Sequence, residues 1–504
     1  MHATLVCKVV QNGALLPGNG RRVHFKTDRG RDMPSDITPD KADYPEIPVN
    51  WNDLAGFAAP CLCGRTHAID TQRFVIDVGA IQSVAGCARE LVDGRVAGLV
   101  SDKNTFRIAG DRVQRLLQQA GYRVTLCVVP DAEGGRPHAT FEAVQAVERQ
   151  LESVDFIAAV GSGTINDLGK LASYRLKIPY LVVATAPSMN GYTSAIAAIM
   201  KDGLKCTMDC HQPVAVIADL DVLSQAPMHL IQAGLGDLES KPVSTADFLL
   251  SSLLRGTYYC PVPGRVVAVA EQRAQASAHR LPQRDPAAIR VLTEALLLSG
   301  CSMKLAGSSS PASGGEHLIS HLWDMTAPAE SRVEGFHGAQ VGVATIVSAS
   351  LYEYLQSLSP DDICVDRLVE TRPSAQAEMA LVVKHHGSLG QVAAAEFRQK
   401  RLDDAAYRAE LTYIKENWSR IWDALTMLKP ASEIRNTLAS AGCPLTMDAL
   451  ALTEAHLRHS FLYAREIRGR FTVLDMAADL GVLDDALEWV LVHSGCISQT
   501  RKDV

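Results

Sequence analysis

Gly161-Ser162-Gly163-Thr164-Ile165-Asn166-Asp167-Leu168-Gly169-Lys170 is the stretch on which the reading of this chain turns. It follows a mostly apolar run, residues 154–160, that reads as a buried strand. Its small residues then make a tight turn into an amphipathic helix. Such a turn presents unbonded backbone N–H groups and the positive end of a helix to an anion, usually a phosphate. A second apolar run, residues 180–184, leads into Ala184-Thr185-Ala186-Pro187-Ser188-Met189-Asn190-Gly191-Tyr192-Thr193-Ser194. Two strand-end loops are thus expected at one crevice, where open parallel sheets bind ligands. The spacing is not GxGxxG, so the pattern predicts a nucleotide site of a different build.

Outward from that turn, short apolar runs alternate with helical periods. Residues 73–77, 96–101, 123–130 and 214–218 read as further strands, and 111–119 and 140–151 as helices. This alternation predicts a Rossmann-like α/β domain with a parallel sheet over residues 72–226. Beyond residue 227 helical patterns dominate: 229–254, 286–306, 316–325, 338–358, 405–428, 431–441 and 453–467. An all-α domain over residues 227–504 follows, with the active site expected in the interdomain cleft. Residues 1–71, rich in Gly, Pro and charged residues at their start, read as an N-terminal extension that is partly flexible.

The bulk properties agree with a soluble enzyme. The chain has 504 residues, more than one hydrophobic core usually supports. A net charge of −7 argues against nucleic acid or an anionic membrane as the main partner, though not against a local basic pocket. No apolar run approaches the ~20 residues of a membrane helix, so no membrane insertion is expected. The first residues lack the pattern of a secretory signal, and a cytoplasmic location is expected. Twelve cysteines at this length, without framework spacing, read as reduced thiols. Cys61-Leu62-Cys63-Gly64-Arg65-Thr66-His67 offers three metal ligands, but no fourth stands at a convincing distance, and a plain loop is the expectation. Cys206, Cys210 and His211 likewise read as small residues beside a turn.

The helical half holds three segments with metal-binding chemistry. Gly234-Leu235-Gly236-Asp237 puts a carboxylate at the expected start of a helix. Ser313-Gly314-Gly315-Glu316-His317-Leu318-Ile319-Ser320-His321 puts two histidines one turn apart on one face. Gly335-Phe336-His337-Gly338 starts another helix with a third. One aspartate and two histidines leave a coordination position open for substrate, as a catalytic metal site does. Leu318 stands where a zinc protease of the HExxH type needs glutamate, which excludes a peptidase of that type.

On these motifs, and on residues 463–475, the chain resembles the iron-containing alcohol dehydrogenase and dehydroquinate synthase-like superfamily. Within it the resemblance is to the bacterial type of sn-glycerol-1-phosphate dehydrogenases, from about residue 72 onward. It implies NAD(H) or NADP(H) across the N-terminal domain. Asp102 and Thr105 would lie near the adenosine half, and Gly161, Ser162, Gly163 and Thr164 at the pyrophosphate. Asp167 would brace the loop, with Thr185, Ser188 and Ser194 approaching the nicotinamide half. It also implies one divalent metal ion, Zn²⁺, Ni²⁺ or Fe²⁺, held by Asp237, His317 and His337. His321 and Asn190 would face the substrate. On spacing alone, Lys241, one turn after Asp237, reads either as a group that meets a substrate phosphate or, if the pocket is not anionic, as a solvated helix lysine. A homodimer is implied as well.

Two departures from the family pattern stand out. Asn190 replaces an aspartate found in many relatives, and Ala339 replaces a glutamate two residues after the third ligand. The expected activity is interconversion of dihydroxyacetone phosphate and sn-glycerol 1-phosphate. Dehydrogenation of another small polyol or phosphorylated alcohol is an alternative, and a catalytically silent binding protein is another. A dehydroquinate synthase ranks lower, for want of a basic carbocycle pocket.

Overall fold

Strands β3 (Arg73–Asp77), β4 (Val96–Asp102), β5 (Arg123–Val129), β6 (Phe156–Gly161), β7 (Tyr180–Ala184) and β10 (Ala215–Asp219) hydrogen-bond into one parallel sheet of order β3-β10-β7-β6-β4-β5. The computed structural model describes residues 44–132 and 135–497. Each strand run expected from the sequence is a strand of this sheet. The period of two along a strand sends its side chains to opposite faces. Phe156, Ala158 and Val160 pack under helices α1 (Val84–Leu91) and α2 (Asp111–Gln119). Ile157 and Ala159 pack on the other face, under α3 (Phe141–Gln150) and α4 (Gly163–Leu176). With both faces covered, β6 and β7 are buried along their whole length, and their near-continuous apolar runs follow from that.

Two antiparallel pairs lie outside the sheet. Strands β1 (Ala58–Pro60) and β2 (Thr66–Ala68) form one, and β8 (Ile196–Lys201) and β9 (Leu204–Asp209) form the other. The second pair went unread in the sequence. Leu54, His67, Ile69 and Thr71 are buried, so the part of the expected extension that is described carries packed structure. Residues 1–43 lie outside the described residues.

From residue 228 the described chain is helical. The single helix expected over 229–254 is two, α5 (Met228–Leu238) and α6 (Lys241–Arg255). Next come α7 (Pro261–Ser277), α8 (Pro286–Ala306), α9 (Gly315–Thr326) and α10 (His337–Gln356), and further helices continue to Leu483–His493. Helix α7 was not expected, because Pro261, Pro263 and Gly264 look like loop. Proline in a first turn, where N–H groups have no intrahelical partner, is nevertheless compatible with a helix. Helix α10 is the axis of this half. Val343, Ile346, Val347 and Leu351 are fully buried on it, each stabilising the fold by about 1.5–3 kcal/mol over an exposed counterpart. The sheet and the helices belong to one compact unit of the described chain.

Candidate active site

The chain runs from β4 outward to β5 and then crosses back to β6, so the order of connections reverses between β4 and β6. An open sheet binds its ligand in the crevice beyond such a switch point. Strand β4 ends at Asp102, whose Oδ1 accepts the N–H groups of Asn104 (2.7 Å) and Thr105 (2.9 Å). Thr105 Oγ1 accepts the Asp102 N–H at 3.0 Å and closes the cap. Strand β6 ends at Gly161, and α4 begins at Gly163 with no side chain capping its first turn. Its leading N–H groups are therefore open to an anion. Ser162 Oγ lies 2.5 Å from Ser188 Oγ, and the Thr185 N–H donates to Gly161 O at 3.1 Å, tying the two strand-end loops together. Gly163 and Thr164 are both partly exposed at this edge.

Two groups under the loops act as braces. Asp167 Oδ2 accepts the Ala198 N–H at 3.1 Å and joins α4 to β8. Burial pushes its carboxyl upward in pKa, against the nearby Lys170. Lys170 is fully buried, and its Nζ donates to Gly191 O (2.5 Å), Ser194 Oγ (3.0 Å) and Ile196 O (3.0 Å). The sequence reading did not mark this residue. It also expected Ser194 at the nicotinamide, but Ser194 is 1% exposed and its hydroxyl serves this latch. From that position Ser194 shapes the loop from inside it.

The latch presents Asn190 to the helical half. Its backbone N–H donates to Asp237 Oδ2 at 2.9 Å, and its amide Nδ2 donates to Asp237 Oδ1 (3.2 Å) and Ser299 Oγ (3.3 Å). Asp237 stands in the last turn of α5, not at a helix start as the sequence suggested. Gly236 sits inside α5, where α10 crosses it. A Cβ on Gly236 would come within 2.2 Å of Gly338 O, and one on Gly338 within 1.8 Å of Ala233 O. This glycine-to-glycine approach brings Asp237 beside His337, the first residue of α10. His317, in the first turn of α9, completes the group.

One ligand atom from each of Asp237, His317 and His337 lies within 4.8 Å of the others, and His317 Nε2 is 3.7 Å from Asp237 Oδ1. His317 Nδ1 donates to Glu316 Oε1 at 2.7 Å, which leaves the Nε2 lone pair for the cluster. Glu316 was not singled out in the sequence, although its place directly before the histidine was the available signal. Burial opposes ionisation of Asp237, but Lys241 and the His317 ring outweigh it and hold the carboxyl far below its ordinary range. Burial, then the charge of Lys205, pushes the pKa values of His337 and His321 well down.

His321 comes within this constellation, its ring 6.0 Å from that of His317 and 5.7 Å from that of His337. Lys241 does not have the expected role in this structure. It is 3% exposed, and its Nζ donates to Asp237 Oδ1 (3.2 Å), Ser240 Oγ (2.9 Å) and Ala312 O (3.1 Å). With three donors engaged, it is the countercharge of Asp237. The cations whose charge acts on His321 are Lys205, from the β8–β9 pair, and Arg468. Arg468 also donates to the Lys205 carbonyl.

A parallel sheet with an anion-ready turn at its switch point, joined to helices that gather Asp-His-His, defines a dehydrogenase fold of the iron-containing alcohol type. Residues 75–227 match the family model described as iron-containing alcohol dehydrogenase. The glycerol dehydrogenase of Schizosaccharomyces pombe superposes with a TM-score of 0.54 at 17% identity, over 84% of this chain and 92% of that one. More specifically, the chain belongs to the glycerol-1-phosphate dehydrogenase family. It is 37% identical to the Bacillus subtilis glycerol-1-phosphate dehydrogenase [NAD(P)+], over 59% of this chain and 75% of that protein. It is 35% identical to the enzyme of the same name from Halalkalibacterium halodurans, over 59% and 74%.

Proposed function

We propose that this chain is a metal-dependent NAD(P)H oxidoreductase that interconverts dihydroxyacetone phosphate and sn-glycerol 1-phosphate. The observation that carries the reading is the convergence of Asp237, His317 and His337, from three helices, next to the loop that follows β7. The donor set suits a divalent cation of the Zn²⁺, Fe²⁺ or Ni²⁺ class. A buried ring nitrogen without a protein partner, His337 Nδ1, fits it too. Bound there, such an ion supplies Lewis-acid stabilisation of the negative charge that develops on a ketone oxygen during hydride transfer.

The chain's own residues do the rest. Asn190 holds both oxygens of Asp237, and Glu316 fixes the tautomer of His317. The open first turn of α4 would take the cofactor pyrophosphate, with Gly161, Ser162, Gly163 and Thr164 around it. Asp102 would offer its second carboxylate oxygen, Oδ2, to the adenosine half, while Thr185 and Ser188 line the way to the nicotinamide. His321, kept neutral by burial and with Nδ1 unpaired, would hydrogen-bond a substrate hydroxyl. The charge of Arg468, beside Lys205 whose Nζ is paired with Asp324 Oδ2 at 2.6 Å, would favour a phosphorylated substrate.

The test is NADH and NADPH oxidation by metal-loaded protein with dihydroxyacetone phosphate, beside unphosphorylated dihydroxyacetone and a chelated control. The expected result is chelator-sensitive turnover of the phosphorylated ketone, with sn-glycerol 1-phosphate as the product enantiomer. Turnover of the unphosphorylated ketone alone would move the assignment to a polyol dehydrogenase.

A further inference from the structure

Cys61, Cys63, His67 and Cys260 bring four metal-ligating atoms within 4.8 Å of one another, well away in the sequence from Asp237, His317 and His337. Cys61 and Cys63 flank the tip of the β1–β2 hairpin, His67 lies on β2, and Cys260 immediately precedes α7. The hairpin turns tightly: the Cys61 N–H donates to Arg65 O at 3.0 Å, and Gly64 takes a φ of +80° that disfavours any side chain. Cys61 Sγ is 3.8 Å from Cys260 Sγ, and His67 Nε2 is 3.5 Å from Cys63 Sγ and 3.3 Å from Cys260 Sγ.

We propose that these four residues form a structural zinc site that staples the hairpin to the helical half. Tetrahedral zinc with Zn–S of about 2.3 Å and Zn–N of about 2.0–2.1 Å has S···S edges of about 3.8 Å and S···N edges of about 3.5 Å. The separations of 3.8, 3.5 and 3.3 Å in this structure lie close to those edges. His67 Nδ1 donates to Leu305 O at 2.7 Å, so the lone pair of Nε2 faces the sulfurs. The N–H groups of Cys63, Arg65 and Val262, each two residues on, point at the sulfurs of Cys61, Cys63 and Cys260. Tyr258 Oη lies 3.4 Å from Cys63 Sγ, and the Arg65 guanidinium stacks 3.4 Å over the Tyr258 ring. N–H donors and a nearby cation are what anionic thiolate sulfurs require.

Ordinary buried packing does not explain the cluster. Cys87, Cys127, Cys301, Cys443 and Cys496 are buried thiols that join no such group among the described residues. On binding, three thiols release their protons to solvent and Zn²⁺ joins three thiolates and one neutral imidazole, leaving one net negative charge beside Arg65. All four positions are filled by protein, as in a structural rather than a catalytic site. The clip joins residues 193 positions apart, His67 and Cys260. Arg65 adds a second tie, donating to Ala306 O at 2.7 Å.

Metal counting and cobalt substitution on the full-length chain test the proposal. Zinc-loaded wild type should hold about two ions per chain, His317→Ala about one, and Cys260→Ala about one. Cobalt in His317→Ala should give an intense thiolate-to-metal charge-transfer band, which the sulfur-free Asp-His-His group cannot produce. That band should vanish in Cys260→Ala; if this variant does not fold, the wild-type spectrum decides. Cobalt-loaded protein without the band, His317→Ala without metal, or a Cys61–Cys260 disulfide in the native protein would overturn the proposal.

Discussion

The two clusters that gather metal-ligating side chains among the described residues are built on opposite plans. Asp237, His317 and His337 are hard and borderline donors from three helices, with a fourth position left to substrate. Cys61, Cys63, His67 and Cys260 are mostly soft donors that close a tetrahedron. The first also carries a protein cation in its wall: Lys241 lies 3.2 Å from Asp237 and neutralises it when no metal is bound. In the first cluster the countercharge touches a ligand, whereas in the second the cation, Arg65, stands off on the Tyr258 ring.

The contrast can be broken at either end. Asp237→Asn or His317→Ala should lower kcat/KM by on the order of 10³-fold or more, since a Lewis acid is worth several kcal/mol in the transition state. Steady-state assays on metal-supplemented variants check this. Cys260→Ala should instead leave turnover per folded molecule at the wild-type level and lower Tm by on the order of 5–10 °C. Equal loss of activity from both substitutions would erase the distinction between the clusters.

Lys241→Met sharpens the point about countercharge. It leaves a buried carboxylate without its cation, at a cost on the order of 3–5 kcal/mol in chelated protein. Denaturant titration should find most of that loss recovered on adding metal, since the ion then supplies the missing charge. Asn190→Asp should act the same way and more weakly. It replaces an amide donor 3.2 Å from Asp237 with a second carboxylate, so the gap in Tm between chelated and metal-loaded protein should widen.

A pH-dependent effect away from both clusters concerns Asp247, which accepts the N–H groups of Gly315 and Val473 and the hydroxyl of Tyr352 beneath α9. Burial and the neighbouring Glu316 push its pKa up to about 7. An unfolded chain releases that proton near pH 3.9, roughly the free aspartate value. Between the two values the folded state holds a proton that the unfolded state has lost. This stability is therefore full below the unfolded pKa and is lost as pH rises through about 7. Thermal melts from pH 4 to 8 should show that slope in wild type and a flatter one in Asp247→Asn.

What was legible in the sequence follows from range. The inner strands β4, β6, β7 and β10 were read because burial on both faces writes a nearly continuous apolar run, and α8 because its period is uninterrupted. Asp237, His317 and His337 were read as one group because each carries local glycine or histidine spacing, and a family resemblance joined them. Asp237 was expected at a helix start and lies in the last turn of α5, because what Gly234 and Gly236 serve, close approach of other segments, is a tertiary contact that the local sequence does not show. Lys170 and Glu316 act through partners that folding supplies. Cys260 could not be joined to Cys61, Cys63 and His67, because nothing local marks a ligand so distant in sequence. Lys205 and Arg468 approach His321 from separate parts of the chain, which no local pattern in the sequence joins.

The most direct test of the division between the clusters is anomalous diffraction at the zinc edge from crystals of zinc-loaded protein. The prediction is two peaks per chain, one coordinated by Asp237, His317 and His337 and the other by Cys61, Cys63, His67 and Cys260. A map with no peak among Asp237, His317 and His337, in protein that turns over only with metal, would contradict the account of the active site.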